Sequence, residues 1–206
     1  MDSQIFEQAR QYAENRLKQE LSPNLVYHRV EHTRAEVVPA VRTLAGMEGV
    51  HGESLYLLLT AAWFHDLGYV EQAMNHELIS ARLAVQVLPT FGYTEDQVEI
   101  VRRAILATAL PQSPRNRLEE ILADADLDVL GREEFMQRNG DLRRELAFLG
   151  KIFSDEEWCV EQLKFLEGHT YFTASARSLR NAQKIINIAE LRVTRNEITL
   201  KRNSKL

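Results

Sequence analysis

The longest nearly apolar stretch of the chain, Leu55 to Phe64 (LYLLLTAAWF), runs directly into His65 and Asp66. A run of this kind packs against a core, so the ionisable pair at its end needs partners. An unpaired buried charge costs several kcal/mol or shifts its pKa until it is neutral. The run is too short to span a bilayer. The fold must therefore bring something to His65 and Asp66.

Helical periodicity dominates elsewhere, and no alternating strand is followed by a hairpin turn. The expected fold class is all-α. Pattern alone predicts helices over 5–17, 28–45 (kinked at Pro39), 53–65, 75–88, 94–108, 117–130, 133–151, 154–166 and 173–192. Thr94 with Gln97, and Ser154 with Glu157, have the spacing of capping boxes. Gly68 breaks the chain after the His-Asp pair, and Gly131 closes the sixth helix.

The length of 206 residues and the 45% apolar content suit a soluble globular protein. A single cysteine, Cys159, excludes an internal disulfide and matches a reducing, cytoplasmic setting. The first residues, MDSQIFEQARQYAENR, lack the apolar core of a signal peptide, and no membrane role is expected. A net charge of −5 gives no general reason to bind nucleic acid. The basic end carrying Arg195, Lys201, Arg202 and Lys205 reads as a frayed, solvated tail.

Five of the six histidines, His28, His32, His51, His65 and His76, fall around the apolar run, while His169 stands apart. His51 lies in a loop and reads as solvent-exposed. His28 and His32 are four residues apart on one predicted helix and share a face. That face points away from the Val30/Val37/Val41 stripe, and periodicity leaves open whether it is buried. First-row divalent metals bind mixtures of imidazole and carboxylate, so a cation would satisfy His65 and Asp66 together. A second carboxylate is offered by ILADADLDVLG. Asp126 lies four residues from both Leu122 and Leu130, inside the apolar stripe, and needs a partner there. Asp124 and Asp128 continue a polar line from Glu120 and read, with Glu119, as a solvated face. Asp124 is the fallback ligand.

The blocks YHRVEHT, AAWFHDLGY, NHELISA and ADADLDVLG, in this order, resemble the H…HD…D signature of the HD-domain metal-dependent phosphohydrolases. The likeness covers residues 25–135 well and the C-terminal helices weakly. It implies an HD-domain helical bundle with additional C-terminal helices: one domain over 1–195, a metal-site core at 25–135, further helices at 136–195, and a disordered basic tail at 196–206. It implies His32, His65, Asp66 and Asp126 as metal ligands. The YHxxxHT stretch is also similar to the metal block of the cyclic-nucleotide phosphodiesterases, in which the residue matching His28 protonates the leaving alkoxide. The ADL of 125–127 matches the last metal block of that group and supports Asp126 over Asp124. The helix from Thr94 carries no histidine, with ILATALP in the expected place, so one tightly held divalent ion (Mn, Fe, Mg, Ni, Co or Zn) is expected.

The implied chemistry is hydrolysis of a phosphomonoester or phosphodiester of a small metabolite, a nucleotide being the favoured class. Asp66 both ligates and orients the water, and His28 is the candidate general acid because imidazole titrates near neutral pH. His76 and Glu77 are candidates for lining the pocket or placing the water. Arg29 and Arg82, and further along Arg177 and Arg180, are the candidate phosphate contacts, with Tyr171 and Thr173 closing the pocket. The alternative is a regulatory module that binds metal and nucleotide without cleavage. The oligomeric state is open, a homodimer included.

Overall fold

Residues 3–203 are described by a computed structural model, and among them there are helices and no strand. The chain, read above as one domain over 1–195, divides into two compact units at Leu127/Asp128. Among the described residues no helix is long and apolar enough to cross a membrane.

The first unit contains α1 (Ser3–Glu20), α2 (Val38–Met47), α3 (Gly52–Phe64), α4 (His76–Val87), α5 (Glu95–Leu106) and α6 (Arg117–Asp126). The apolar run is α3, and it packs against α1, α2, α5 and α6. Every residue from Leu57 to Gly68 is buried, as expected of a helix that is apolar on all sides. Each fully buried Leu or Phe on it contributes roughly 1.5–3 kcal/mol. The buried Thr60 hydroxyl lies 2.8 Å from the Tyr56 carbonyl and 2.7 Å from the Tyr93 hydroxyl, so it is not stranded. The Thr94–Gln97 capping box opens α5 as the spacing predicts.

The predicted helix over 28–45 forms differently. His28 lies in a bend between α1 and the next helical residues, and His32–Val37 form a π-helical segment that leads into α2. The reason is Pro39, which lacks an N–H and crowds the carbonyl four residues back. The ladder relaxes to wider bonds, with Val38 N–H donating to Thr33 O. His28 and His32 therefore do not share a helix face.

The sixth helix ends at Asp126, not at Leu130, and of the face expected in solvent only Glu120 stays partly exposed. Glu119 and Asp124 are buried because α6 is packed by α2, α3 and α5. Glu119 is held by the Arg115 N–H at 2.7 Å and the Asn116 amide at 2.6 Å.

The second unit contains α7 (Phe135–Phe148), α8 (Asp155–Gly168) and α9 (Ala174–Asn203), preceded by a 3₁₀ turn over Asp128–Gly131. The Ser154–Glu157 capping box opens α8. Asp128, also expected in solvent, is buried in this turn. Arg180 reaches it from α9 with two bonds of 2.5 and 3.0 Å, and Arg132 with a third. Asn187 of α9 donates to the carbonyls of Leu130 and Arg132, both at 2.9 Å. The helix α9 continues to Asn203, so residues 196–203 of the expected tail are helical. They have helix-forming composition and no Gly or Pro to stop them. Residues 204–206, including Lys205, lie outside the described residues.

Candidate metal centre

The end of α3 aims the His-Asp pair. His65 is the last residue with helical backbone angles, and Asp66 (φ −101°, ψ 5°) turns the chain out of the helix. Both side chains therefore project from the end of a rigid, buried element. Beyond them, the Gly68 N–H donates to Ser80 Oγ at 2.7 Å. A Cβ on Gly68 would sit 2.1 Å from the His76 carbonyl oxygen. Only glycine lets α4 begin this close, and that places His76 beside Asp66.

The π-helical segment supplies His32 and α6 supplies Asp126. His65 Nε2 is 3.2 Å from Asp66 Oδ2 and 3.4 Å from Asp126 Oδ1. His32 Nε2 is 3.3 Å from Asp126 Oδ1 and 3.7 Å from Asp66 Oδ2. Donor atoms of His32, His65 and Asp66 lie mutually within 4.8 Å, and all three residues are buried. Asp126 joins them while staying 20% exposed. Its stripe argument holds for direction but not for depth, since Asp124 is the more buried residue.

The backs of the two imidazoles are fixed. A carbonyl only accepts, so the 2.7 Å contact of His65 Nδ1 with Ala62 O puts the proton on Nδ1 and turns the Nε2 lone pair to the cluster. His32 Nδ1 lies 2.9 Å from Glu36 Oε2 and is fixed in the same way. A carboxylate or carbonyl behind a histidine is the usual support of a metal ligand. Sequence reasoning missed Glu36. Its one signal is its position four residues after His32.

Two atoms in this cluster make no hydrogen bond although both are buried: His65 Nε2 and Asp66 Oδ2. Such atoms are rare because each costs about 1–3 kcal/mol or more. A divalent ion answers both at once. With metal–ligand bonds of about 2.1 Å, neighbouring donors stand about 3.0–3.4 Å apart, close to the spacing found. Two imidazole nitrogens and two carboxylate oxygens suit a first-row divalent ion. The residues fit the ion.

Without it, protons do the same work. Burial opposes charge on His32, but its bonds to Asp126 and Glu36 and the charge of Asp66 outweigh burial and hold the imidazole up at about 9. Burial likewise opposes protonation of His65. The carboxylates of Asp66 and Asp126, whose oxygens stand 3.2 and 3.4 Å from Nε2, override it and raise His65 well above its ordinary value. Burial would raise both aspartates. The nearby charge of His65 holds Asp66 well below the usual range, with help from His76, and the His32 contact and the nearby charge of His65 hold Asp126 below it. Metal and protons compete for the same donors.

A more open polar group adjoins the buried trio. His76 Nδ1 is 3.2 Å from Ala73 O, and its Nε2 faces Asp66 Oδ1 at 3.4 Å and Glu77 Oε1 at 3.5 Å. Burial opposes charge on His76, but the bond to Asp66 outweighs it and raises its pKa. His28 is half-buried, with Nε2 3.2 Å from the Tyr69 hydroxyl. The Tyr69 ring stacks on His28 with centroids 4.3 Å apart and lies 4.1 Å from the His76 ring. Tyr69 was also missed, although it stands inside the AAWFHDLGY block. The residues thus separate by depth: His32, His65 and Asp66 are buried, and His28, His76, Glu77 and Asp126 remain partly accessible.

The four arginines are all engaged. Arg29 is exposed, 3.8 Å from Glu31, and Arg82 is exposed, 2.5 Å from Glu71. In the second unit Arg180 holds Asp128, and Arg177 donates to the carbonyls of Tyr171 and Phe172 at 2.8 and 2.7 Å. Tyr171 and Thr173 are buried there. His51 is exposed.

Comparison with known protein families, with characterised proteins and with solved structures finds no match to this chain.

Proposed function

We propose that this chain is a metal-dependent phosphohydrolase of the HD-domain type, acting on a phosphomonoester or phosphodiester of a small metabolite, with nucleotides the favoured class. The observation that carries the reading is the pair of orphaned, buried atoms, His65 Nε2 and Asp66 Oδ2, beside His32 and Asp126. A bound divalent ion supplies Lewis acidity toward the phosphoryl group and lowers the pKa of a water molecule.

The protein's own groups divide the remaining work. His32, His65, Asp66 and Asp126 would hold the ion, with Glu36 and the Ala62 carbonyl keeping the imidazoles in place. Asp66 has a second oxygen, Oδ1, turned to His76. That oxygen orients the nucleophilic water and receives its proton, while His76 donates to it from Nε2 and holds it in place. His28 is accessible, and its Nε2 is held by the Tyr69 hydroxyl. In its imidazolium form it delivers the proton to the leaving oxygen from Nε2. Glu77, 3.5 Å from His76, keeps His76 in the form that donates to Asp66.

The test is a substrate panel run with Mn-loaded protein: aryl phosphomonoesters and diesters, nucleoside phosphates and cyclic nucleotides, with product measured directly. Turnover is expected in the wild type and is lost with the metal in His65→Ala and Asp66→Ala. Undiminished hydrolysis by the metal-free double variant overturns the reading. Stoichiometric metal and nucleotide binding with no product after long incubation replaces the enzyme with a binding module.

A further inference from the structure

We infer that α9 is the dimerisation element of this protein and pairs with α9 of a second copy as a parallel coiled coil. The inference goes beyond the phosphohydrolase reading and does not depend on it.

The helix has 30 residues, about 45 Å at 1.5 Å per residue. One face is committed to its own unit. Lys184, Asn187 and Leu191 are buried on it, and α9 packs there against α8 and the Asp128–Gly131 turn. The opposite face carries Leu179, Ile186, Val193 and Leu200, each seven residues after the one before. They are 38%, 49%, 58% and 69% exposed. Single exposed apolar side chains are ordinary. Four at an unbroken interval of seven form the a positions of a heptad seam. The alternating d positions are Ala182, Ala189 and Asn196, all exposed. Small d residues let two helices approach closely, so the large a residues meet across the seam. Exposed Ile185, at a flanking g position, widens the apolar strip.

A heptad seam is complementary to itself under a two-fold axis, which makes a second copy the natural occupant. Charge selects the direction. In a parallel pair each g residue faces the e residue of the partner's next heptad. Arg192 then meets the partner's Glu197, twice by symmetry, and Ile185 meets the partner's Glu190, so no like charges oppose. Arg192 also binds Glu167 at 2.8 Å through one nitrogen and keeps further donors for a second carboxylate. In an antiparallel pair e residues face e residues, and Glu190 and Glu197 would confront the same glutamates.

Sedimentation or light scattering of the full chain at micromolar concentration should give twice the 23.7 kDa chain mass. The exposed-site double variant Ile186→Lys/Val193→Lys should give a monomer with unchanged helical content. Leu179→Cys and Leu200→Cys, made singly and oxidised, should each yield a covalent dimer, because only a parallel, in-register pair brings both positions together. The native Cys159 is buried and does not compete. A monomeric wild type, or a dimer that survives the double lysine variant, overturns the inference. Cross-linking at one cysteine only, or at neither, overturns it as well.

Discussion

His65 Nε2 stands 3.2 Å from Asp66 Oδ2, and neither buried atom makes a hydrogen bond. Neighbouring residues at a helix end have been brought face to face as two acceptors when the imidazole is neutral. That arrangement costs free energy unless a cation lies between them. Divalent ion should therefore raise the melting temperature of chelator-stripped protein. At a free concentration of about 100 Kd the gain is about 2.7 kcal/mol. His65→Ala should remove the shift. An unchanged transition, with no stoichiometric metal by elemental analysis, would count against a metal centre.

Glu36 touches the cluster through His32, at 2.9 Å from Nδ1. It is a positioning residue, and its loss should loosen the ion without removing a ligand. Glu36→Ala should weaken metal affinity by about 10–100-fold, with the deficit in turnover recovered at high metal concentration. Glu36→Gln, which keeps an acceptor oxygen, should lie between the two. Metal titration of the three proteins decides this. Equal affinities would reduce Glu36 to a helix-surface group.

His28 differs from the ligands in depth and in partners. It is half-buried and bonded to Tyr69. If it delivers the leaving-group proton, His28→Ala should retain full metal content and lose about 10²–10⁴ in kcat. Esters with good leaving groups, such as nitrophenyl esters, should be affected least. Tyr69→Phe, which removes the hydroxyl that holds His28 Nε2 at 3.2 Å, should show the same leaving-group dependence with a smaller loss. A uniform loss across leaving groups would assign His28 to binding instead.

Much of this was legible in the residues. The all-round apolar α3 followed from LYLLLTAAWF, and both capping boxes from their spacing, because these signals are local. The side of α6 on which Asp126 lies was legible, but burial was not. Glu119 and Asp124 read as solvated because periodicity describes one helix and knows nothing of the helices packed around it. Asp128 failed for a related reason: its partner Arg180 is 52 positions away. The π-helical segment was hidden because Pro39 signals a break in the ladder without saying how the ladder repairs itself. Glu36 and Tyr69 were passed over because neither residue type announces a supporting role.

Gly68 makes a steric prediction independent of any chemistry. An added Cβ would fall 2.1 Å from the His76 carbonyl oxygen and 3.0 Å from its Cα, all backbone. No rotamer can relieve that clash, so the start of α4 must move. Gly68→Ala should destabilise by at least the roughly 1–3 kcal/mol typical of overpacking. It should also displace His76 from Asp66. Denaturant titration reads the first effect and loss of turnover at saturating metal the second. A fully stable, fully active Gly68→Ala protein would mean that α4 does not dock on this turn.

His169 provides a pH signature far from the metal ligands in sequence. It caps the end of α8, and Lys184 of α9 donates to its Nδ1 at 3.2 Å and to its carbonyl. An ammonium only donates, so Nδ1 is the acceptor and the ring is neutral. Burial, and then the Lys184 charge, push its pKa from 6.5 down to about 4. The unfolded chain takes up this proton near 6.5, whereas the folded chain resists until about 4. The unfolded state therefore binds more protons across that window, and stability must fall as pH falls through it. The contribution is intact above 6.5 and is lost progressively toward 4. His169→Gln keeps an acceptor for Lys184 but cannot titrate. Its stability relative to the wild type should rise steadily from pH 7 to pH 4, when both proteins are unfolded in urea at matched ionic strength. Parallel stability curves for the two proteins over that range would show that His169 is protonated freely in the fold.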